Sequence, residues 1–550
     1  WQTVLIFPAT IPLSIATIVF LRDYRYARRR EELDAVFPPS IPSKTFGGMD
    51  ILLEVLLQHE HKNCFLGELV SHWGEQLGHT MSVMIFWEPR IFTTEPEYIK
   101  RILATDFEHF EKGPTFRDYM ESLLGTGVFN ADGREFTPLD NTAGFHRSMS
   151  RQFFTKDRIS DFDNFDRHAD LALSKLRDRL REGVAVDVQD LFCRFTLDSA
   201  SEFLFGSDLH SLSADLPYPS TAKASTIHRT HPSDSFADAF QKAQVASGAR
   251  SRFGRFWPLV EFWEDKVEKE IQAVFDYVDP IVKRALEMKK VNALSKTEGN
   301  SEDETLLEHM ARLTDDPIIL RDEILNIMVA GRDTTAALIT FAVYMLSEHP
   351  RVYDRLRQEI TSTLAGETQP TPGDLHNMKY LRAVLNETLR LFPSVPFNVR
   401  TPTVDVIWPS LTGGKPYYIP AGTRCLYAPY VMQRRKDLWG PTAEEFDPDR
   451  FLDDRKTLLT SNPFMFLPFN AGPRICLGQQ FAYNEASFMV IRLVQSFKNF
   501  RLAMEDHPES LPPPEWKTSG VGRKVVEKAN VKSHLTIYAK GGMWVKMDEA

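Results

Sequence analysis

The sequence predicts a mainly α-helical protein carrying small β-sheets, with an apolar segment ahead of its body. Three observations support that class: long stretches with apolar residues at helical spacing, strand-like runs that are few and short, and a nearly all-apolar first segment. The 550 residues, 43% hydrophobic and 25% charged, can bury a sizeable core. A formal net charge of −10 argues against nucleic acid as a partner. The four cysteines, Cys64, Cys193, Cys425 and Cys476, lie far apart with no CxxC pair, as in proteins of reducing compartments.

Along the chain, Val4–Leu21 is broken only by Pro8, Thr10, Pro12, Ser14 and Thr17, and then come Arg22, Arg25, Arg28, Arg29 and Arg30. About 18–20 apolar residues span a bilayer as a helix, and a following basic cluster stays cytosolic. A cleaved signal peptide, the competing reading, has a shorter apolar core with its charges in front. Residues 1–21 are therefore expected to be a transmembrane anchor. Residues 22–45 are expected to form a basic, proline-rich hinge that includes Phe37-Pro38-Pro39-Ser40-Ile41-Pro42. Residues 46–550 are read as one domain, since no long linker or internal repeat divides them. Helices are expected at Arg167–Glu182, Phe262–Lys290, Leu320–Glu348, Val352–Ala365 and Tyr380–Phe392. Short strands are expected at Val83–Trp87, Thr423–Tyr430 and His534–Tyr538, and surface loops at Ser211–Asp234 and Pro508–Pro514.

The most informative stretch is Phe469-Asn470-Ala471-Gly472-Pro473-Arg474-Ile475-Cys476-Leu477-Gly478, just ahead of the helical run Gln479–Phe497. A thiolate at the mouth of a helix is stabilised by the dipole and by free backbone N–H groups. Gly472 and Gly478 allow a tight turn and the close approach of a flat cofactor. Arg474 suits a cofactor carboxylate, and Phe469 can shield the sulfur. A lone cysteine near a helix start is more often a small buried residue. The whole pattern, Phe-x-x-Gly-x-Arg-x-Cys-x-Gly, resembles the haem-binding signature of the cytochrome P450 superfamily at every fixed position.

That resemblance implies the cytochrome P450 fold, haem b (iron protoporphyrin IX) as cofactor, and Cys476 as the axial ligand of its iron, donating electron density that favours O–O cleavage. Three further segments fit in the right order. Glu387-Thr388-Leu389-Arg390 resembles the family's Glu-x-x-Arg, whose two charges share a helix face. Phe446-Asp447-Pro448-Asp449-Arg450-Phe451 would add Arg450, completing a Glu387–Arg390–Arg450 cluster that braces the cysteine loop. Removing one member of such a buried cluster is expected to cost ~3–5 kcal/mol. Ala330-Gly331-Arg332-Asp333-Thr334-Thr335 places residues that favour caps and turns inside an apolar helix. It resembles the oxygen-activation motif, so Thr334 is expected to hydrogen-bond the bound oxygen and Asp333 to relay protons through water. Arg400 and the pair His146-Arg147 stand where the family binds the haem propionates; a plain surface arginine is the alternative at each. The sequence departs from the family at Ala143, where a tryptophan is usual, and in the long preceding segment Arg134–Gly144, which reads as an insertion.

The stretch Phe469–Glu485 is especially similar to fungal members that hydroxylate alkanes and fatty acids. The resemblance therefore implies a monooxygenase that inserts one atom of O2 into a lipophilic substrate: an alkane, a fatty acid or a xenobiotic. Substrate contacts are expected within Asp106–Phe129, Ser235–Phe262 and Val395–Val399. No glycine-rich nucleotide motif follows a strand, so electrons are expected from a separate NADPH-cytochrome P450 reductase. The anchor places the protein on the endoplasmic reticulum membrane, catalytic body facing the cytosol. Two rival classes are a P450-like isomerase or dehydratase without a reductase, and a haem-binding protein with impaired catalysis.

Overall fold

The computed structural model describes residues 2–60, 64–133, 143–151, 153–154, 162–206, 208–222, 231–295, 304–366, 369–518 and 522–550. They gather into two compact units that are both discontinuous in sequence. The first comprises Trp1–Glu60, Gly67–Gly113 and Phe397–Ala428; the second comprises His61–Leu66, Pro114–Pro396 and Pro429–Ala550. Of the expected insertion, residues 134–142 lie outside the described residues, and Ala143 and Gly144 open a helix.

In the first unit, α1 (Gln2–Glu32) runs unbroken through the apolar stretch and the arginine cluster. Among the described residues no helix is long and apolar enough to cross a membrane, so the expected transmembrane span is not among the elements seen. The first part of the expected hinge is also helical: Arg28 and Arg29 each pair with Glu32 at 3.1 Å on one helix face. The proline stretch makes backbone hydrogen bonds to Ser82. Ile41 N donates to Ser82 O (2.9 Å), and Ser82 N donates to Pro39 O (2.7 Å). A proline lacks an N–H but keeps its carbonyl, which is the group used here. Helices α2 (Met49–Glu60), α3 (Glu68–Leu77) and α4 (Pro96–Lys100) accompany a five-stranded sheet. Its strands are β1 (Thr80–Ile85), β2 (Glu88–Thr93), β3 (Phe110–Glu111), β5 (Asn398–Pro402) and β8 (Arg424–Tyr427), in the order β1-β2-β8-β5-β3. Only the β2–β8 pairing is parallel. β6 (Val406–Trp408) and β7 (Tyr417–Ile419) form a separate antiparallel pair.

The second unit is predominantly helical. Its helices are α5 (Pro114–Leu124), α6 (Ala143–Arg151), α7 (Phe162–Arg181), α8 (Val188–Phe205), α9 (Pro232–Phe253) and α10 (Lys266–Ser295). They continue with α11 (Leu306–Leu313), α12 (Pro317–Glu348), α13 (Pro350–Leu364), α14 (Pro372–Asn377) and α15 (Lys379–Leu391). Short α16 (Pro429–Met432), α17 (Lys436–Trp439) and α18 (Lys456–Ser461) precede α19 (Gln479–Ser496). Strands β4 (Val186–Asp187), β9 (Phe497–Leu502) and β12 (Trp544–Glu549) make one small sheet, and β10 (Val531–Ser533) pairs with β11 (Ile537–Ala539).

The five expected helices correspond to α7, α10, α12, α13 and α15, with ends shifted by a few residues. The three expected strands correspond to β1, β8 and β11. α12 forms the centre because it is apolar nearly all round: Ile324, Leu325, Met328 and the run from Ala336 to Leu346 are buried. It packs against α8, α15, α19 and β9. Asp316 caps its start, the carboxylate accepting from Ile318 N, with Pro317 at the first helical position.

Candidate functional site

The loop ahead of α19 is held by its own backbone. Asn470 (φ 63°) and Gly472 (φ 67°) take left-handed conformations, which asparagine and glycine tolerate best. The chain then turns so that Cys476 N donates to Phe469 O (3.0 Å). Phe469 rests against Tyr483 with ring centroids 5.0 Å apart, and the Tyr483 hydroxyl donates to Asn386 of α15 at 2.6 Å. Gly478 behaves differently from the expectation. Its φ is −84°, and a methyl there would meet only Phe154, at 3.8 Å, so the chain's own geometry does not demand glycine at that point.

Cys476 is exposed, yet enough protein surrounds its sulfur for desolvation to raise the thiol pKa. The Gly478 N–H and the charge of Arg147 act the other way. Arg147 on α6 does more than face an anion: its Nη2 donates to Ile475 O at 2.6 Å, tying α6 to the residue before the cysteine. His146 turns inward instead. It is fully buried, with Nδ1 against the Glu323 carboxylate of α12, and Glu323, equally buried, has its pKa raised by desolvation. Arg474 lies 3.9 Å from Asp132. Arg400 belongs to the first unit, on β5; it is buried, with Nη1 on Val399 O (2.6 Å) and no hydrogen-bond partner for Nε among the described residues.

Behind the loop, the expected charge cluster forms. Glu387 receives Arg390 through two bonds of 2.7 and 2.8 Å, and Arg450 Nε lies 3.3 Å from Glu387 Oε1. Asp447 N also donates to that oxygen, at 2.9 Å. Both guanidinium groups continue into carbonyls: Arg390 reaches Gln433, Ala443 and Glu445, and Arg450 reaches Trp439 and Thr442. A residue that pattern reading missed, Gln433, joins this cluster to the cysteine loop. Its amide donates to Leu389 O (3.1 Å) and Arg390 O (3.0 Å) and accepts from Leu467 N (2.8 Å). No sequence signal marks it, because its importance comes from its carbonyl partners.

On α12, the Thr334 hydroxyl donates to Ala330 O one turn back, while Thr334 O accepts from Ser394 (2.8 Å). The helix stays regular there, although the Thr334 hydroxyl bonds back to a carbonyl of its own helix. Asp333 pairs with Arg332 (3.0 Å) and accepts from Gln244 Nε2 of α9 (2.7 Å). Gln244 was also missed, though a signal existed: it is an amide on the otherwise largely apolar buried face Phe236, Phe240, Ala243, Gln244 and Ser247. Glu485 of α19 is fully buried beside Ser199 and Thr335, and burial pushes its pKa up to about 8.

An accessible cysteine at a helix mouth, a cationic neighbour on that loop, and an acid–threonine pair on the central helix fit a haem-thiolate enzyme. The chain belongs to the cytochrome P450 family, whose model matches residues 51–524. Its members are oxidoreductases of the monooxygenase type and bind haem b, which the soft sulfur donor and nearby guanidinium groups of this site suit. The chain is 37% identical over 460 residues to the cytochrome P450 monooxygenase himC of Aspergillus japonicus, covering 82% of this chain and 76% of that one. It is 33% identical over 491 residues to cytochrome P450 52E2 of Candida apicola, covering 88% and 89%. With cytochrome P450 52A6 of Candida tropicalis it shares 32% identity over 563 aligned positions, covering 100% and 97%.

Proposed function

We propose that this P450 hydroxylates a lipophilic substrate of the alkane or fatty-acid class, combining O2, two electrons and two protons with the substrate to give alcohol and water. The carrying observation is that Cys476 on its loop and the Asp333–Thr334 pair on α12 occur in one unit, tied to it by Arg147, Gln433 and Gln244. Haem b, ligated by Cys476, supplies the one-electron and dioxygen chemistry.

The chain's residues do the rest. The Gly478 N–H and Arg147 stabilise the sulfur's negative charge. Arg147 and Arg474 of the second unit are the cationic partners for the propionates; His146 acts indirectly, fixing α6 on α12 through Glu323 and so aiming Arg147. A glycine at 478 leaves room for a flat macrocycle. The Thr334 hydroxyl proton is committed to Ala330 O, so its oxygen is the acceptor offered to water at the reacting centre. Asp333 hands protons inward from a carboxylate that Arg332 and Gln244 hold in place.

Electrons come from a separate NADPH-cytochrome P450 reductase. Residence on the endoplasmic reticulum membrane, with the catalytic body facing the cytosol, is supported by the apolar and basic order of α1, where Ile18, Phe20, Leu21 and Tyr24 are exposed. The substrate class is supported by the Phe469–Glu485 resemblance and by the P450 52 relatives.

The test is a carbon-monoxide difference spectrum of the reduced protein, followed by turnover with reductase, NADPH and a panel of n-alkanes and fatty acids. A strongly red-shifted Soret band and NADPH-dependent alcohol formation are expected. The thiolate band without hydroxylation of any panel member overturns the substrate class. A band at the position of neutral ligands overturns the site itself.

A further inference from the structure

Away from the thiolate loop, α7, α8 and the segment after α8 bring together His168, Asp198 and Asp208, with one ligand atom from each within 4.8 Å of the other two. His168 is only 3% exposed. Its Nε2 faces Glu202 Oε2 at 2.8 Å, and the other Glu202 oxygen is held by Arg167 at 2.7 Å. With the ring proton on Nε2 donated to that carboxylate, Nδ1 presents a lone pair. Among the described residues Nδ1 makes no hydrogen bond; Asp208 Oδ2 stands 3.9 Å away, beyond hydrogen-bond range. A carboxylate behind the remote nitrogen of an imidazole is the usual support of a metal-bound histidine, because it sets both tautomer and ring orientation.

The two aspartates are placed with similar care. Asp198, 1% exposed, accepts from Ser211 N and Leu212 N, one on each oxygen and both at 2.8 Å, and each oxygen keeps a second lone pair. Asp208 is oriented by His210, whose Nδ1 lies 2.7 Å from Oδ1, leaving Oδ2 on the side of His168. Two carboxylates face a buried imidazole nitrogen that bonds to neither. A cation between them satisfies all three groups at once.

We propose that His168, Asp198 and Asp208 form a structural site for a divalent cation of the zinc type, completed by water and clamping α7, α8 and the Asp208–Leu212 segment together. One nitrogen and two oxygens match zinc better than the all-oxygen shells of calcium or magnesium. Bonds of about 2.0–2.2 Å put tetrahedral ligand atoms about 3.3–3.5 Å apart, so the site contracts by roughly 1 Å on loading.

The experiment uses the full chain in its haem-loaded form, stripped with a chelator, dialysed and titrated with Zn2+. Bound metal is read by elemental analysis and affinity by calorimetry, beside Asp208→Asn and His168→Gln. One equivalent of zinc and a rise in Tm are expected for the unaltered protein. Asp208→Asn, at a partly exposed position, should bind at least about tenfold more weakly with an unchanged carbon-monoxide spectrum. Should His168→Gln fail to fold, Asp208→Asn alone decides. Equal zinc binding in both proteins, or none above background, overturns the site.

Discussion

Replacing Arg450 by methionine keeps the volume and removes the charge, and the structure sets the size of the effect. Glu387 is not stranded by the loss: it retains the two bonds from Arg390 and the one from Asp447 N. What the variant orphans are the buried acceptors Trp439 O, Thr442 O and Thr442 Oγ1. At about 1 kcal/mol each, they amount to roughly 3 kcal/mol. Arg390→Met removes the bidentate partner itself and orphans the carbonyls of Gln433, Ala443 and Glu445, so ~5 kcal/mol is expected. Double-mutant cycles with Glu387→Gln separate the direct pair from these side effects. The Arg390 cycle should give a coupling of about 3 kcal/mol. The Arg450 cycle, resting on one 3.3 Å contact, should give about 1 kcal/mol or less. The assay is urea unfolding of the haem-loaded variants, followed at the Soret band and in the far ultraviolet, with constant m as the check on two-state behaviour. Equal couplings, or a cost below ~1 kcal/mol for Arg450→Met, refutes the reading that Arg390 carries the ion pair while Arg450 braces the carbonyls.

Glu485, with its folded pKa raised to about 8, stays protonated over a range where the unfolded carboxyl ionises. Its contribution is fully present below the unfolded pKa and is lost as pH rises to about 8, so the stability gap between Glu485→Gln and the unaltered protein should widen between pH 5 and 8; parallel urea midpoints contradict this. Gln244→Leu should leave the carbon-monoxide spectrum intact and slow product formation about tenfold, ~1.4 kcal/mol, with a larger solvent isotope effect; an unchanged isotope effect removes Gln244 from the positioning of Asp333. Thr334→Ala should divert NADPH consumption from product to peroxide, and equal coupling in both proteins takes Thr334 out of the chemistry. Gln433→Leu should destabilise by about 2–3 kcal/mol and speed haem loss, because Leu467 N and two carbonyls of α15 lose their partner; haem retention equal to the parent protein contradicts the bracing role.

Short-range order made several elements legible from residues alone. The spacing of apolar side chains located α7, α10, α12, α13 and α15, because one period of a helix is contained within four residues. The cysteine loop was legible for a related reason: its ten residues carry their own turn geometry, with positive φ at Asn470 and Gly472 and a bond from Cys476 back to Phe469. The pairing of Glu387 with Arg390 needed only a helical spacing of three.

Partners distant in sequence were decided by the tertiary structure. His146 sits beside Arg147 in sequence, yet successive helical side chains point about 100° apart, and the imidazole went to Glu323 while the guanidinium went to Ile475. Gln244 and Gln433 carry no motif, since an amide serves whichever donors and acceptors folding brings to it. The proline stretch is visible in the sequence, but its pairing with Ser82 is not. Sequence by itself pointed to the class of this protein and to Cys476, because the ten residues Phe469–Gly478 carry a pattern that resembles the haem-binding signature of the cytochrome P450 family. Only the packing of distant segments decided which groups hold Asp333, brace the cysteine loop and surround His168, because those contacts join residues tens to hundreds of positions apart.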